Sequence, residues 1–432
     1  MRLGLFVGSF DPFHIGHFEI VDICLKNNYV DKVAILANNP NKSKPDRLDV
    51  LHRINMIKLY IGSSGNDNND NNNNIMIIDE DCNTYVNNLD KGIIKIGIIG
   101  SDQCFKKPKL NANRWIIIPR NNNILKDLNW NEEIVYLPAK LFKNQQGSST
   151  MIRKDTLINH KLINNNVLEY IQKHNLYNFN QQLINNIGLN DVSIQIIIFI
   201  KLNVFLMDDG KKNKKYIIKI FLNKQIYDNE VAGYDMLKKY HCHIPSFNKF
   251  EMEDYCMLLM EYIGVTVYEY VKLDNNNTNN NTNNNYNICN LIGKELRRLH
   301  KSSKLDHDPG IMNFLNNRKI KNLLTCEKLD PQNVANLIKN PGHRCCTHGD
   351  MSVDNVLIDK EGCNLMIGFI DPEKYSLDGI PAYEYYQFIS SIKCKILDEN
   401  IKREMINGFV DGYGEYDFTQ EMIHACKLYW NI

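Results

Sequence analysis

Short, uninterrupted apolar runs alternate with stretches of helical spacing through the first 178 residues, and that rhythm leaves few folds open. "LGLFVGS", "KVAILANN", "IKIGIIGSD" and "WIIIPR" read as strands, while "GHFEIVDICLKNN", "RLDVLHRINMIKLYI" and the closing "NNVLEYIQKHNLY" read as helices. Strands that are apolar along their whole length are buried on both faces, which calls for a parallel sheet covered by helices on each side. Open sheets of this kind bind ligands beyond the C-terminal ends of their strands. Chemistry-bearing residues are expected there.

From about residue 185 the pattern changes. Two apolar strands, "SIQIIIFIKLNVFL" and "YIIKIFL", precede the helical "NEVAGYDMLKKY" and the strand "YCMLLMEYI", and a mainly helical region follows. A chain of 432 residues exceeds what one hydrophobic core usually supports, so two domains are expected, at 1–178 and 185–432. Two asparagine-rich tracts, at about 64–75 and 274–287, carry no apolar period and are expected to be disordered insertions in surface loops.

The formal net charge is +1, from 51 basic and 50 acidic side chains, which supplies no electrostatic footprint for nucleic acid or an anionic membrane. Any anion binding must be local, and the partners expected are small-molecule substrates; oligomeric state is left open. The 12 cysteines are scattered without a C-x-x-C pair, so neither a zinc site nor a disulfide framework is expected. No run approaches the roughly 20 apolar residues of a membrane span, and the opening residues lack a secretory pattern. A reducing, cytoplasmic setting fits.

The first chemical stretch is "GSFDPFHIGH", Gly8 to His17. Gly8 and Ser9 allow a tight turn after the first strand, and Asp11-Pro12 enforces a non-helical connection before a helix begins near Gly16. The new helix aims its unpaired N–H groups and positive dipole end above the sheet, which suits a phosphate. Gly16 permits close approach, and His14 and His17 add two imidazole donors. Such an arrangement stabilises charge growing on a phosphate during in-line displacement.

This stretch resembles the signature of the HxGH nucleotidyltransferases. "GSSTMIR", Gly147 to Arg153, resembles the second motif of that family. The resemblance implies a Rossmann-like, doubly wound α/β domain in which Gly8, Ser9, Phe10, Gly16, Ser149 and Thr150 bind the nucleotide, with ATP or CTP as its substrate. It also implies that His14, His17 and Arg153 are catalytic, with Arg153 neutralising the leaving pyrophosphate. "NNVLEYIQKHNLY" is similar to the closing helix of bacterial nicotinate-mononucleotide adenylyltransferases, and "IIGSDQCF" to their acidic segment, which places Asp102 near the nucleotide or acceptor. "ILANNPNKSKP" looks more like phosphopantetheine adenylyltransferase, in which the lysine matching Lys42 helps bind the acceptor phosphate; the arginine motif that follows in that family is missing. Cytidylyltransferases for phosphocholine, phosphoethanolamine and glycerol phosphate share the HxGH core as well, so acceptor and base stay open.

The second stretch, "THGDMSVDNVLID", with "MIGFIDPEKY" after it, resembles the H-G-D-x-x-x-x-N and aspartate set of aminoglycoside-phosphotransferase-like kinases, a group that includes choline, ethanolamine and fructosamine kinases. The resemblance implies a two-lobed α+β domain of the protein-kinase kind. Asp350 would take or orient the proton of an alcohol, His348 would belong to the nucleotide site, and Asn355 and Asp371 would hold Mg2+. Lys219 in "YIIKIFL", paired with Glu230, corresponds to the lysine on the ATP phosphates, and "LLMEYI" with Glu261 resembles the adenine-contacting hinge. The glycine-rich loop departs from the family: "IGLNDVSIQ" has one glycine. Tyr383, Tyr385, Tyr386 and Phe388 are expected in the core, and His300 as buried structure.

A kinase of this class makes a phosphomonoester from an alcohol, and a transferase of this class consumes one. Consecutive reactions on one small metabolite are therefore expected: AMP transfer to a pyridine mononucleotide on the first domain's closing segments, or CMP transfer to a phosphorylated amino alcohol or polyol on the second domain's relatives. A nucleotide-binding module with an inactive kinase half is the reading of another class. Intact Asp350 weighs against it, since a binder does not need a proton acceptor.

Overall fold

The computed structural model describes residues 1–37, 47–63, 73–104, 110–119, 130–144, 148–187, 194–209, 214–274, 283–305, 332, 335, 343–361, 364–415 and 418–432. Contacts divide the chain into two compact units, Met1–Leu206 and Met207–Ile432.

The first unit opens with β1 (Arg2–Gly8), α1 (Ile15–Lys26), β2 (Lys32–Ala37), α2 (Val50–Ser63), β3 (Ile75–Ile78), α3 (Cys82–Asn88), β4 (Ile94–Gly100), β5 (Arg114–Ile118) and β6 (Glu133–Tyr136). The six strands form one sheet in the order β3-β2-β1-β4-β5-β6, with every pairing parallel. This is the doubly wound, Rossmann-like arrangement expected from the apolar strands. Leu3, Leu5, Ala34, Ile35, Ile116 and Ile117 are each at most 2% exposed, as a sheet covered on both faces requires. β1 lies between β2 and β4, where the direction of winding reverses, and a crevice opens at the C-terminal ends of the strands at such a point. Gly8 ends β1 and Gly100 ends β4, so both strands deliver their following loops to one place.

The unit continues with α4 (Ser149–Lys154), α5 (Asn165–Lys173) and α6 (Phe179–Ile187). Val167, Leu168 and Ile171 of α5 are buried, and so is Gln172, whose amide is paired on both sides: Nε2 donates to Asn203 Oδ1 at 2.8 Å and Oε1 accepts from Asn203 N at 2.9 Å. That exchange, with Phe179 stacked on Phe205, binds residues up to 206 to the first unit.

β7 (Ile194–Lys201), β8 (Val204–Asp209), β9 (Lys214–Phe221), α7 (Lys224–Lys239), β10 (Phe247–Glu251) and β11 (Cys256–Glu261) follow. In the second unit β10, β11 and β9 lie side by side in that order, and both pairings are antiparallel. The boundary between the units falls inside β8. Beyond lie β12 (Val265–Thr266), α8 (Val267–Asp274), α9 (Asn283–Ser302), β13 (Cys345–Thr347), β14 (Val356–Glu361), β15 (Asn364–Phe369), β16 (Ser376–Gly379), α10 (Pro381–Lys395), α11 (Glu399–Tyr413) and α12 (Gln420–Trp430). Antiparallel sheets β12-β14-β15 and β13-β16 join the helices around one apolar core. Tyr383, Tyr386 and Phe388 lie in that core and Tyr385 packs against it.

Most of both asparagine-rich tracts lies outside the described residues, but their ends need correction. Residues 283–287 are not loop: they form the start of α9, and Ile75 already belongs to β3. Asparagine has little helical preference of its own. Ile288, Ile292, Leu296 and Leu299, each at most 3% exposed, anchor the helix one turn after another, and tertiary burial outweighs that weakness. Among the described residues no helix is long and apolar enough to cross a membrane.

Candidate active sites

In the first unit the "GSFDPFHIGH" segment leaves β1 and enters α1. A Cβ on Gly8 would lie 2.8 Å from the Phe10 ring, so glycine here leaves room for that ring to pack over the end of β1. His14 caps α1: its Nδ1 accepts from Gly16 N at 3.1 Å, while its own N donates to His17 Nδ1 at 3.3 Å. Each Nδ1 is thus occupied as an acceptor. An imidazole whose Nδ1 accepts carries its proton on Nε2 when neutral, so this geometry suits each ring to donate from Nε2. The rings are 3.8 Å apart between centroids, and both are largely buried, at 3% and 8% exposed.

The second motif is brought to the first. Ser148 caps α4, its side chain accepting from Met151 N. Ser149 Oγ donates to Pro12 O at 2.9 Å, and Arg153 Nη1 donates to Asp11 O at 2.6 Å. Arg153 Nη2 also donates to Thr150 Oγ1 at 3.2 Å. More than 130 residues of sequence separate Ser149 from Pro12 and Arg153 from Asp11. Asp102 lies in a single 3-10 turn immediately after β4. Lys42 and Lys44 lie outside the described residues.

Sequence reasoning missed a hub around Asp11. Its carboxylate is fully buried and accepts from Tyr177 OH at 2.8 Å and Leu48 N at 3.4 Å. Arg53, equally buried, donates to Ser9 O at 2.7 Å and to Leu48 O at 3.0 Å. Burial lowers the Arg53 and Arg47 guanidiniums from their ordinary values, with Asp11 opposing the shift in both cases. Burial first, and then the Asp11 charge, pushes the Tyr177 hydroxyl far upward, so it acts only as a neutral donor. The spacing of "RLDVLHR" marks Arg53 as a helical residue and says nothing of its reach to Ser9.

In the second unit Lys219 sits on β9 opposite Leu258 of β11. Its Nζ contacts Glu230 Oε2 at 2.5 Å and Asp371 Oδ1 at 2.9 Å. Burial alone would depress the Lys219 ammonium, but Asp371 and Glu230 reverse the effect and leave it above its ordinary value. Burial raises the Glu230 carboxyl. Asp371 follows β15 in a left-handed conformation, φ 59, and its N–H donates to the buried Tyr234 hydroxyl at 3.3 Å.

The loop carrying Asp350 is held from below. Gly349 takes φ 90, open to glycine alone without strain, and its N–H donates to Glu384 Oε1 at 2.6 Å. Glu384 Oε2 lies 2.8 Å from His300 Nε2, and His300 Nδ1 lies 2.6 Å from Tyr413 OH. His300 is wholly buried, the structural role expected of it. His348 is likewise buried, with Nε2 2.7 Å from Ile370 O; it ties the Asp350 loop to the strand leading to Asp371. Asn355 Nδ2 donates to Asp350 O at 2.9 Å, which turns its amide oxygen away from that bond.

Two neighbours of Asp350 went unanticipated: Lys374 Nζ at 2.7 Å and Gln387 Nε2 at 3.2 Å. Glu261 ends β11, and its carboxylate binds Lys214 Nζ at 3.0 Å and Ser246 Oγ at 2.9 Å. The connection between β7 and β8, Leu202–Asn203, contains no glycine, and Asn203 supplies the positive φ of 64.

Asn355 and Asp371 offer hard oxygen donors. Among the described residues no group of three or more His, Cys, Asp or Glu side chains is placed to hold a metal ion. A small donor set suits Mg2+, which takes one or two protein oxygens and completes its shell with phosphates and water.

Residues 5–155 match the cytidylyltransferase-like family model, and residues 203–422, slightly more than half of the chain, match that of the phosphotransferase enzyme family. A probable nicotinate-nucleotide adenylyltransferase of Flavobacterium psychrophilum is 36% identical over 61 residues, 14% of this chain and 32% of that protein. A phosphopantetheine adenylyltransferase of Fusobacterium nucleatum is 42% identical over 65 residues, 15% of this chain and 37% of that protein. The chain spans about a third of the length of these curated relatives. Among solved structures, an aminoglycoside-3'-phosphotransferase of type VIII shares 15% identity at a TM-score of 0.41, covering 58% of this chain and 97% of that one.

Proposed function

We propose that this chain, which belongs to the phosphotransferase enzyme family and carries a cytidylyltransferase-like domain ahead of it, is a bifunctional enzyme acting twice on one small metabolite. In the first unit a phosphomonoester oxygen attacks the α-phosphorus of a nucleoside triphosphate, the bond to the bridging oxygen breaks, and pyrophosphate leaves. The Nε2–H groups of His14 and His17 donate to the phosphate as its charge grows, and Arg153 neutralises the leaving group. The acceptor favoured is nicotinate or nicotinamide mononucleotide with AMP as the transferred group. The short stretches shared with nicotinate-nucleotide adenylyltransferases support that choice.

In the second unit an alcohol gives its proton to Asp350 as its oxygen attacks the γ-phosphorus of ATP, releasing ADP. Lys219 bears on the phosphates. Mg2+ held by Asn355 and Asp371 would screen phosphate charge. His348 and Glu384 keep the Asp350 loop in place. The reaction pair needs only small-molecule substrates and suits a cytoplasmic enzyme.

The observation that carries this reading is the meeting of the two motifs of the first unit, Arg153 on Asp11 O and Ser149 on Pro12 O. The test offers purified protein a panel of alcohols with ATP. It then measures pyrophosphate released from ATP or CTP with each phosphorylated product and with supplied mononucleotides. Release with a pyridine mononucleotide and ATP is expected. Release only with CTP and a phosphorylated amino alcohol replaces the acceptor; nucleotide binding without any turnover overturns the enzyme reading.

A further inference from the structure

Nothing in the sequence motifs singles out Glu19, one turn into α1 beyond Gly16. Its carboxylate accepts two backbone donors from a distant segment, Lys143 N at 2.7 Å and Asn144 N at 3.0 Å. That segment leads towards α4 and presses on the same turn of α1: a Cβ on Gly16 would lie 3.2 Å from Asn144 O. On the far side of residues 145–147 the chain is tied again, by Ser149 to Pro12 O and by Arg153 to Asp11 O.

α4 has only six residues. An isolated helix of that length does not form in water, so its place depends on tertiary ties. The downstream ties use residues of the second motif itself. The upstream tie, beside the buried Phe142, is made by Glu19 to main-chain N–H groups, so it holds the segment whatever the side chains at 143 and 144. A carboxylate with two N–H donors is a charge-assisted pair of bonds, stronger than neutral ones.

We infer that Glu19 is a positioning residue for nucleotidyl transfer: it clamps the entry to the second motif on α1 and sets where Arg153 stands relative to the His14 and His17 rings. It touches no reacting atom. This inference rests on the transferase reading above.

The experiment compares Glu19→Gln and Glu19→Ala with the wild type in the full chain, by pyrophosphate release against triphosphate concentration and by thermal melting. Glutamine keeps the shape but places an NH2 where one of the two N–H groups must find an acceptor. For Glu19→Gln the KM for the triphosphate is expected to rise about tenfold, the size of one lost hydrogen bond to a charged group, with the melting temperature lowered by no more than about a few degrees; Glu19→Ala, which loses both bonds, should raise the KM at least as much. Glu19→Asp, one methylene shorter, should recover part of the loss. A lower yield of folded protein with unchanged KM per folded molecule makes the role merely structural and overturns the inference. So does unchanged kinetics in both variants. If the wild type itself releases no pyrophosphate with any acceptor, the transferase reading fails first, and the inference with it.

Discussion

Single side chains decide the chemistry of each unit, and His14 shows how two roles can be separated. Its Nδ1 caps α1, and on the function proposed above its Nε2–H donates to phosphate. Asparagine at this position can cap the helix but lacks the reach of Nε2. His14→Asn is therefore expected to keep the melting temperature within a degree or two and lose turnover by about 100-fold or more. His14→Ala should lose turnover and also about 1 kcal/mol of stability. Equal melting of the two variants contradicts the capping role. Glu230 offers a pH test. Burial raises its carboxyl to about 7 although Lys219 opposes the shift. A carboxyl raised on folding binds a proton as the chain folds, so its stabilising effect is present at low pH and fades as pH rises toward 7. Glu230→Gln keeps the protonated shape at every pH. It should match the wild type in melting temperature at pH 5 and exceed it at pH 8, while phosphorylation falls because Lys219 loses an anchor. A variant less stable than the wild type at pH 8 excludes the assignment.

At the level of elements, the long periodic ones were legible and the short ones were not. β1, β2, α1, α2 and α5 follow from apolar spacing, as do β9 and α7. β3, β6 and α3 have four, four and seven residues, too short for any period to stand out from composition. α6 follows a tight turn at Asn175–Asn178, three of whose residues take positive φ, and the spacing of "NNVLEYIQKHNLY" stops before it. The pairing of α9 with α11 was equally hidden. A Cβ on Gly293, Gly408 or Gly412 would strike the backbone of the facing helix at Phe409 O, Tyr286 O and Asn290 O respectively. Only glycine lets the two backbones approach so closely. Gly412→Ala should therefore cost about 1–3 kcal/mol or more of stability in the second unit, read from denaturant midpoints, and leave pyrophosphate release by the first unit unaffected. α10 carries Glu384 to the Gly349 N–H, so Glu384→Ala should lower phosphorylation by loosening the Asp350 loop, with the KM for ATP changed less than kcat.

On the function proposed above, two separate sets of residues serve two reactions, and effects at sites that share no partners add. Asp350→Asn should abolish phosphorylation while leaving pyrophosphate release from a supplied phosphomonoester intact, and His17→Ala should do the reverse. A double variant should show both losses and no more. Loss of both reactions in either single variant would show that the assignments are not independent. The local sequence determined the kinds of element, the parallel character of the first sheet, and the two motif sets, because apolar period and turn chemistry act over neighbouring residues. It could not determine which distant groups meet. That Arg153 reaches Asp11 O, that Arg53 reaches Ser9 O, and that Glu19 holds residues 143 and 144 was decided only when the sheet brought these segments to its switch point. Buried main-chain groups there had to find partners from whatever side chains the fold delivered.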